Sequence, residues 1–168
     1  KALKSLFKHQ ADPSTIAGII IEPVQGEGGF NIAPTEFLIA LRALCVEHGI
    51  VLIADEIQTG FARTGKLFAL EHAGVKVDVV TLAKGLAGGF PLSAIVGRAD
   101  IMDASGPGGL GGTYAGNPVS CAAAHTVLDI IKDEDLCARA NAIGDVILGR
   151  CRDLAARSNL NCIGDVRG

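Results

Sequence analysis

The sequence predicts an α/β fold, a mostly parallel sheet with flanking helices. Three observations carry that expectation. Short runs rich in Ile, Val, Leu and Ala recur at 17–21, 50–54, 79–83 and 93–97. The first three runs are separated by stretches with helical periodicity. The runs are continuous in their apolarity rather than alternating, as strands covered on both faces are, and strand–helix–strand order implies parallel pairing through right-handed crossovers. With 49% apolar and 20% charged residues in a chain of 168, one domain with a sizeable core is expected and disorder is not.

The elements follow in order. The first fifteen residues are polar and read as a surface helix end or linker. The run 17–21 is a strand ending at Glu22-Pro23, followed by the glycine-rich loop Gln25-Gly26-Glu27-Gly28-Gly29. Thr35–His48 reads as a helix because Phe37, Leu41, Leu44 and His48 recur at steps of four, three and four, with Leu38 and Cys45 beside them. Thr35 is positioned to cap its start and Gly49 to end it in a left-handed conformation. Strand 50–54 runs into Asp55-Glu56-Ile57-Gln58. A short helix is expected at 66–73, stopped by Gly74. Strand 79–83 leads into Lys84-Gly85, and 93–97 is one more strand. Residues 103–116 form a glycine-dense loop. Asn117-Pro118 is a strong helix start, a capping side chain followed by a first-turn proline. The helix 118–132 is apolar nearly all round and is expected to be buried. A second helix at 134–157 places Leu136, Ala140, Ile143, Ile147 and Leu154 on one face.

Composition excludes several functions. A net charge of −3 with a pI near 5.8 gives no basic field for nucleic acid or an anionic membrane surface. No apolar run reaches the roughly 18 residues of a membrane span. The segment KALKSLFKHQADPST has no signal-peptide core. Cys45, Cys121, Cys137, Cys151 and Cys162 include no C-x-x-C pair, so a reducing, cytoplasmic location is expected, with Cys45, Cys121 and Cys137 as small core residues. The four histidines are scattered without ligand spacing, and no metal site is expected.

The chemistry concentrates where strands end. If strands 50–54 and 79–83 are parallel, Asp55 and Lys84 leave the same edge of the sheet, where open α/β sheets bind ligands. A free lysine has a pKa of about 10.4 and is a poor nucleophile until desolvation or a nearby cation lowers it. The small, apolar setting Leu82-Ala83-Lys84-Gly85-Leu86-Ala87-Gly88-Gly89 suits that, although a strand-end lysine also snorkels into solvent. An amine beside a carboxylate able to hold a ring nitrogen is the equipment of pyridoxal-phosphate chemistry. Asp55 reads equally as a capping or ion-paired acid. Gln58 reads as a donor to a ring hydroxyl or as an exposed turn residue. Glu22 and Glu27 flank the first loop as crevice acids or as solvated ones. The 106–113 loop offers backbone N–H groups and the Thr113 hydroxyl to a phosphate, but lacks a P-loop lysine.

Four segments in order carry a resemblance: Ile21-Glu22-Pro23-Val24-Gln25-Gly26-Glu27-Gly28-Gly29, Leu52-Ile53-Ala54-Asp55-Glu56-Ile57-Gln58-Thr59-Gly60, Ala83-Lys84-Gly85-Leu86-Ala87-Gly88-Gly89-Phe90-Pro91 and Gly111-Gly112-Thr113-Tyr114-Ala115-Gly116-Asn117-Pro118. Together they resemble the class III pyridoxal-phosphate-dependent aminotransferases of fold type I, nearest to the branch acting on 4-aminobutyrate, over residues 16–168. The resemblance implies that Lys84 holds pyridoxal 5'-phosphate as a Schiff base and shuttles a proton. It implies that Asp55 pairs with the ring nitrogen, Gln58 with the ring oxygen, and that Ile57 packs on the ring. It further implies that Thr113 reaches the cofactor phosphate of a neighbouring subunit in a homodimer or larger assembly. Glu27 would pair with and release a substrate-binding arginine, with Glu22 nearby at the substrate side.

The expected reaction is ping-pong transfer of an amino group from a terminal amine such as 4-aminobutyrate to 2-oxoglutarate. The alternatives are a same-fold aminomutase or racemase, or a non-catalytic fragment serving as a subunit-interface scaffold. The chain is expected to be the central part of a longer protein: 1–117 from a cofactor-binding large domain, 118–157 helices linking it to a C-terminal domain, and 158–168 the start of that smaller domain. The family's phosphate-binding turn, ring-stacking aromatic and substrate arginines are expected outside these residues.

Overall fold

A computed structural model describes residues 2–157, 160 and 162–168. Four strands form the main sheet: β1 (Gly18–Ile21), β4 (Val51–Asp55), β5 (Val79–Leu82) and β6 (Ala94–Gly97), adjacent in that order. A two-stranded hairpin, β2 (Val24–Gln25) and β3 (Asn31–Ile32), stands apart. The helices are α1 (Ala2–His9), α2 (Thr35–His48), the short α3 (Ala99–Met102), α4 (Pro118–Asp133) and α5 (Leu136–Ala155). The β1–β4 and β4–β5 pairs are parallel, and β6 returns antiparallel to β5. The mostly parallel α/β sheet is therefore as expected. The expected further domain at 158–168 includes residues 158, 159 and 161, which lie outside the described residues.

Side-chain alternation divides the sheet into two faces. Leu52, Ala54, Ile19 and Ile21 pack against α2 through Leu38, Leu41 and Cys45. The buried stripe of α2 is thus Leu38, Leu41, Leu44 and Cys45, while Phe37 is exposed, because the side chain one step round the helix meets the sheet. Burial pushes the Cys45 thiol above its usual range, which keeps it an uncharged core residue. Gly49 ends α2 at φ 68, as expected for a left-handed cap. Thr35 is no cap: it is the first helical residue, Pro34 precedes it, and no side chain among the described residues caps this end.

Three further expectations are corrected. β1 is an edge strand with Ile20 59% exposed, so its continuous apolarity does not mean cover on both faces here. α4 buries only Ser120, Ala124 and Ile131, and α5 buries none of its residues, leaving Ile143 and Ile147 exposed. The helix expected at 66–73 is a single 3-10 turn, Ala69–His72. Its cause is Glu56, which is fully buried and accepts from Leu70 N at 2.9 Å, from Ala69 N at 3.0 Å and from the Thr59 hydroxyl. The carboxylate consumes the donors that would start a longer helix and fixes the turn beneath β4.

Asp78 joins the strands. Its buried carboxylate accepts from Arg42 at 2.5 Å, from Arg98 at 3.1 Å and from Leu52 N at 2.9 Å. Its backbone N–H donates to Leu52 O and its carbonyl accepts from Arg98 N. Burial opposes ionisation of this group. The hydrogen bonds from Arg42, Leu52 N and Arg98 outweigh it and hold the carboxyl below the usual carboxylate range.

A depressed folded pKa contributes stability above the unfolded value of about 3.9, lost as pH falls through the lower folded value. Asp78→Asn is expected to cost about 2 kcal/mol at pH 7, the arginines being partly solvated. Denaturant melts should show that cost shrinking below about pH 4; a cost independent of pH would count against the charged network. Glu56→Gln sets an amide donor against at least one of three donors and is expected to cost about 1–3 kcal/mol at neutral pH. Equal unfolding midpoints for Glu56→Gln and wild type would refute the bracing role.

Candidate active site

The parallel register brings three chain ends to one edge. Ile21 pairs with Ala54, so Glu22 leaves β1 level with Asp55, and Asp55 itself pairs with Thr81 on β5. Lys84 lies three residues beyond Thr81, at most about 10 Å further along the strand direction. Asp55 and Lys84 therefore leave neighbouring parallel strands at their carboxyl ends.

Each is held differently. One oxygen of Asp55 accepts from Ile57 N at 3.0 Å. The other accepts from no protein donor among the described residues. Lys84 is exposed and sits at φ 44, a left-handed backbone that a lysine adopts only under strain. That kink opens a 3-10 turn, Lys84–Ala87, whose Leu86 and Ala87 are buried with Leu82, Phe61, Ala62, Ala124 and Ile131. Phe61 and Ala62, in the loop after Asp55, also have positive φ, at 61 and 68. The two strand-end loops are thus wedged together against α4, with their backbone strain held by one apolar cluster. Gly88 ends the turn as a left-handed cap at φ 60, close to Val127 of α4.

Gln58 packs directly on Gly26: a Cβ at Gly26 would overlap its carboxamide. Gly26 N donates in turn to the Glu22 carboxylate at 3.1 Å. Glu22 therefore closes the turn that gives Gln58 its resting place. Glu27 is exposed on the same turn. A cleft of about 550 Å³ is lined by Gln58, Thr59, Arg63 and His72 with Pro23, Gly26, Phe30 and others. Lys84 lines a separate pocket with Arg63, Gly88, Gly89 and Val127. Thr113 lies in a third with Pro91, Ile95 and Leu110. Glu22, Asp55 and Lys84 thus leave one sheet edge, but the expected residues are not gathered in a single cleft.

Arg63 lines both of the first two pockets and makes no ion pair among the described residues. It went unread in the sequence, although it sits five residues after Gln58 in the same loop. The structural roles of Glu56 and Asp78 were also missed, because a buried acid inside an apolar stretch looks like a loop acid until its donors are seen. Among the described residues, no cluster of His, Cys, Asp and Glu is arranged to hold a metal ion, and no helix is long and apolar enough to cross a membrane.

The residues present fit a pyridoxal-type cofactor on three counts. An exposed lysine follows the strand next to the one that ends at Asp55, and one oxygen of that carboxylate takes no protein donor among the described residues. The loop following the lysine carries Gly88 and Gly89, and a Cβ at Gly89 would meet nothing within 4 Å among the described residues, so the backbone there is open to a flat ligand. A buried hydroxyl at the same level, Thr81 Oγ1, has no hydrogen-bond partner among the described residues.

Comparison with known proteins supplies the family. The family model of class-III aminotransferases matches residues 1–168. The chain is 53% identical over 167 residues to the 4-aminobutyrate aminotransferase GabT of Escherichia coli, and 52% identical over 167 residues to the 5-aminovalerate aminotransferase DavT of Pseudomonas putida. Each alignment covers 99% of this chain and 39% of the relative, so the chain spans about two fifths of the length of the curated proteins it matches. Among solved structures, an ornithine aminotransferase from Toxoplasma gondii, reported with partial occupancy of PLP at its active site, superposes with a TM-score of 0.89 at 40% identity, covering 99% of this chain and 38% of that one. An (S)-enantioselective omega-transaminase from Thermomicrobium roseum gives 0.90 at 39% identity, covering 99% and 37%. Fold, strand-end chemistry and these likenesses converge: the chain belongs to the class-III aminotransferase family.

Proposed function

We propose that this chain carries the lysine and the ring-nitrogen carboxylate of a pyridoxal 5'-phosphate-dependent transaminase. Its amino donor is a terminal amine such as 4-aminobutyrate, and its acceptor is 2-oxoglutarate. The observation that carries the reading is the parallel β4–β5 register, by which Asp55 and Lys84 leave adjacent strands at one edge. The donor class rests on the likeness to 4-aminobutyrate and 5-aminovalerate aminotransferases.

When bound, the cofactor supplies an electron sink for the electrons released at the substrate carbon. The chain's own residues do the rest. Lys84 offers a solvent-reachable amine on a backbone pinned by Leu86 and Ala87, able to hold the cofactor covalently and then move a proton at the reacting carbon. Asp55 keeps one oxygen occupied by Ile57 N and presents the other to a ring N–H. In this reading Ile57, whose N–H donates to Asp55, packs on the ring, and Gln58 donates to the ring oxygen. Glu22 keeps the Gly26 turn closed, and Glu27 on that turn is free to meet a substrate-binding arginine. The exposed 106–116 loop, with Leu110 and Tyr114 in solvent and Thr113 between them, suits contact with a second subunit, where Thr113 would serve the neighbour's phosphate. In this reading 1–117 belongs to the cofactor-binding large domain, and α4 and α5 lead toward a smaller C-terminal one.

Two measurements on the full-length polypeptide test this. Borohydride reduction after incubation with pyridoxal 5'-phosphate should place a covalent label on the peptide containing Lys84; a label elsewhere, or none, overturns the catalytic assignment. Turnover of 4-aminobutyrate should require added 2-oxoglutarate, and turnover without any oxo acid would favour an aminomutase or racemase. Asp55→Ala should lower kcat/KM by about a hundred-fold or more while Lys84 remains labelled, the size of effect expected for losing a charged group aimed at the reacting system.

A further inference from the structure

Thr81 lies near the carboxyl end of β5, and its Oγ1 is buried without a hydrogen-bond partner among the described residues. Such a hydroxyl destabilises the fold, since valine has the same shape without the unpaired polar atom. What it can reach is limited by its neighbours. On its own face, Val79 and Ala83 flank it along β5, Ile95 faces it from β6, and Asp55 faces it from β4. Three of these side chains are apolar. Among these sheet neighbours Asp55 alone carries side-chain acceptors, on a strand about 4.8 Å away, and one of its oxygens takes no protein hydrogen bond among the described residues.

We propose that Thr81 is a positioning residue, its hydroxyl turning about χ1 to donate to the Asp55 carboxylate and hold it toward the cofactor's ring nitrogen. The inference rests on the reading of Asp55 given above. Ile57 N grips the carboxylate from beyond the end of β4, and the Thr81 hydroxyl grips it from β5. Together they set the plane of a group that otherwise turns freely about its last bond. A hydrogen bond to an ionised acceptor is among the stronger kinds, enough to offset the cost of burying the hydroxyl.

The test compares wild type, Thr81→Val and Thr81→Ser in the full-length polypeptide, stripped of cofactor and titrated with pyridoxal 5'-phosphate. Visible absorbance and its pH profile are followed, along with thermal unfolding of the cofactor-free forms. Thr81→Val is expected to bind cofactor about ten-fold more weakly, with a displaced pH profile. Its cofactor-free form is expected to unfold at the same or a higher temperature than wild type, and Thr81→Ser is expected to restore binding and profile. The inference is overturned if Thr81→Val binds and titrates like wild type, if Ser and Val are equally impaired, or if Val lowers cofactor-free stability in step with its binding loss. Wild type failing to take up cofactor would instead sink the reading of Lys84 and Asp55 itself, a result distinct from a failure confined to the Thr81 comparison.

Discussion

The register between β4 and β5 is the constraint on which the site depends, and Asp78 holds it. A slip of one residue in a strand turns every side chain to the other face. Here it would carry Asp55 away from the face it shares with Thr81. Ladder hydrogen bonds alone tolerate such slips where apolar side chains repeat, as they do along Val51–Asp55 and Val79–Leu82. Asp78 breaks the degeneracy. Its carboxylate takes the Leu52 amide of β4, and its two arginines come from α2 and from the residue just after β6. A buried charge satisfied by three donors in three places has one solution, whereas an apolar contact has several.

Glu56 does for the loop what Asp78 does for the sheet. It follows Asp55 directly, faces inward, and draws the Ala69–His72 turn under the strand end. Asp55 and Glu56 thus divide two tasks between adjacent carboxylates. One ends β4 with an oxygen that takes no protein donor among the described residues, and the other is consumed internally. Alternation along an extended chain makes that division automatic. The Thr59 hydroxyl and the Gly60 turn then bring Phe61 and Ala62 against the Lys84 turn.

Much of this architecture was legible in the residues. The strand runs, α2 with its Gly49 cap, the Asn117 cap of α4 and the placement of Asp55 and Lys84 at strand ends follow from local rules, and local rules are what a sequence displays. The Asn117 carboxamide accepts from Val119 N and Ser120 N, as its type and position imply. The misreadings share one cause, a dependence on something distant in the chain. Continuous apolarity in β1 and α4 speaks of burial without saying what covers them, and among the described residues little does. The 66–73 segment has helical composition, but its first donors belong to Glu56, ten or more residues earlier. Thr81 gave no signal at all: a threonine inside VVTLA reads as an ordinary β-branched strand residue. Its lack of a partner exists only once Asp55, Ile95, Val79 and Ala83 surround it.

Strained backbone and apolar packing meet at the strand-end loops. Positive φ at Lys84, Phe61 and Ala62 is unfavourable for each residue taken alone, on the order of 1–3 kcal/mol. A glycine at any of them would relieve it, and glycines stand nearby at 60, 65, 85 and 88. What glycine cannot supply is a side chain for the Leu82–Leu86–Ala124–Ile131 cluster, which Phe61 and Ala62 join, or an amine at the sheet edge. The apolar burial of that cluster, at roughly 25 cal/mol per Å², opposes the strain at all three positions because one contact surface serves both loops. The amine is thereby set on a turn that cannot relax without unpacking α4. A lysine that must present its nitrogen in one place gains from such a backbone what its own four flexible bonds cannot provide.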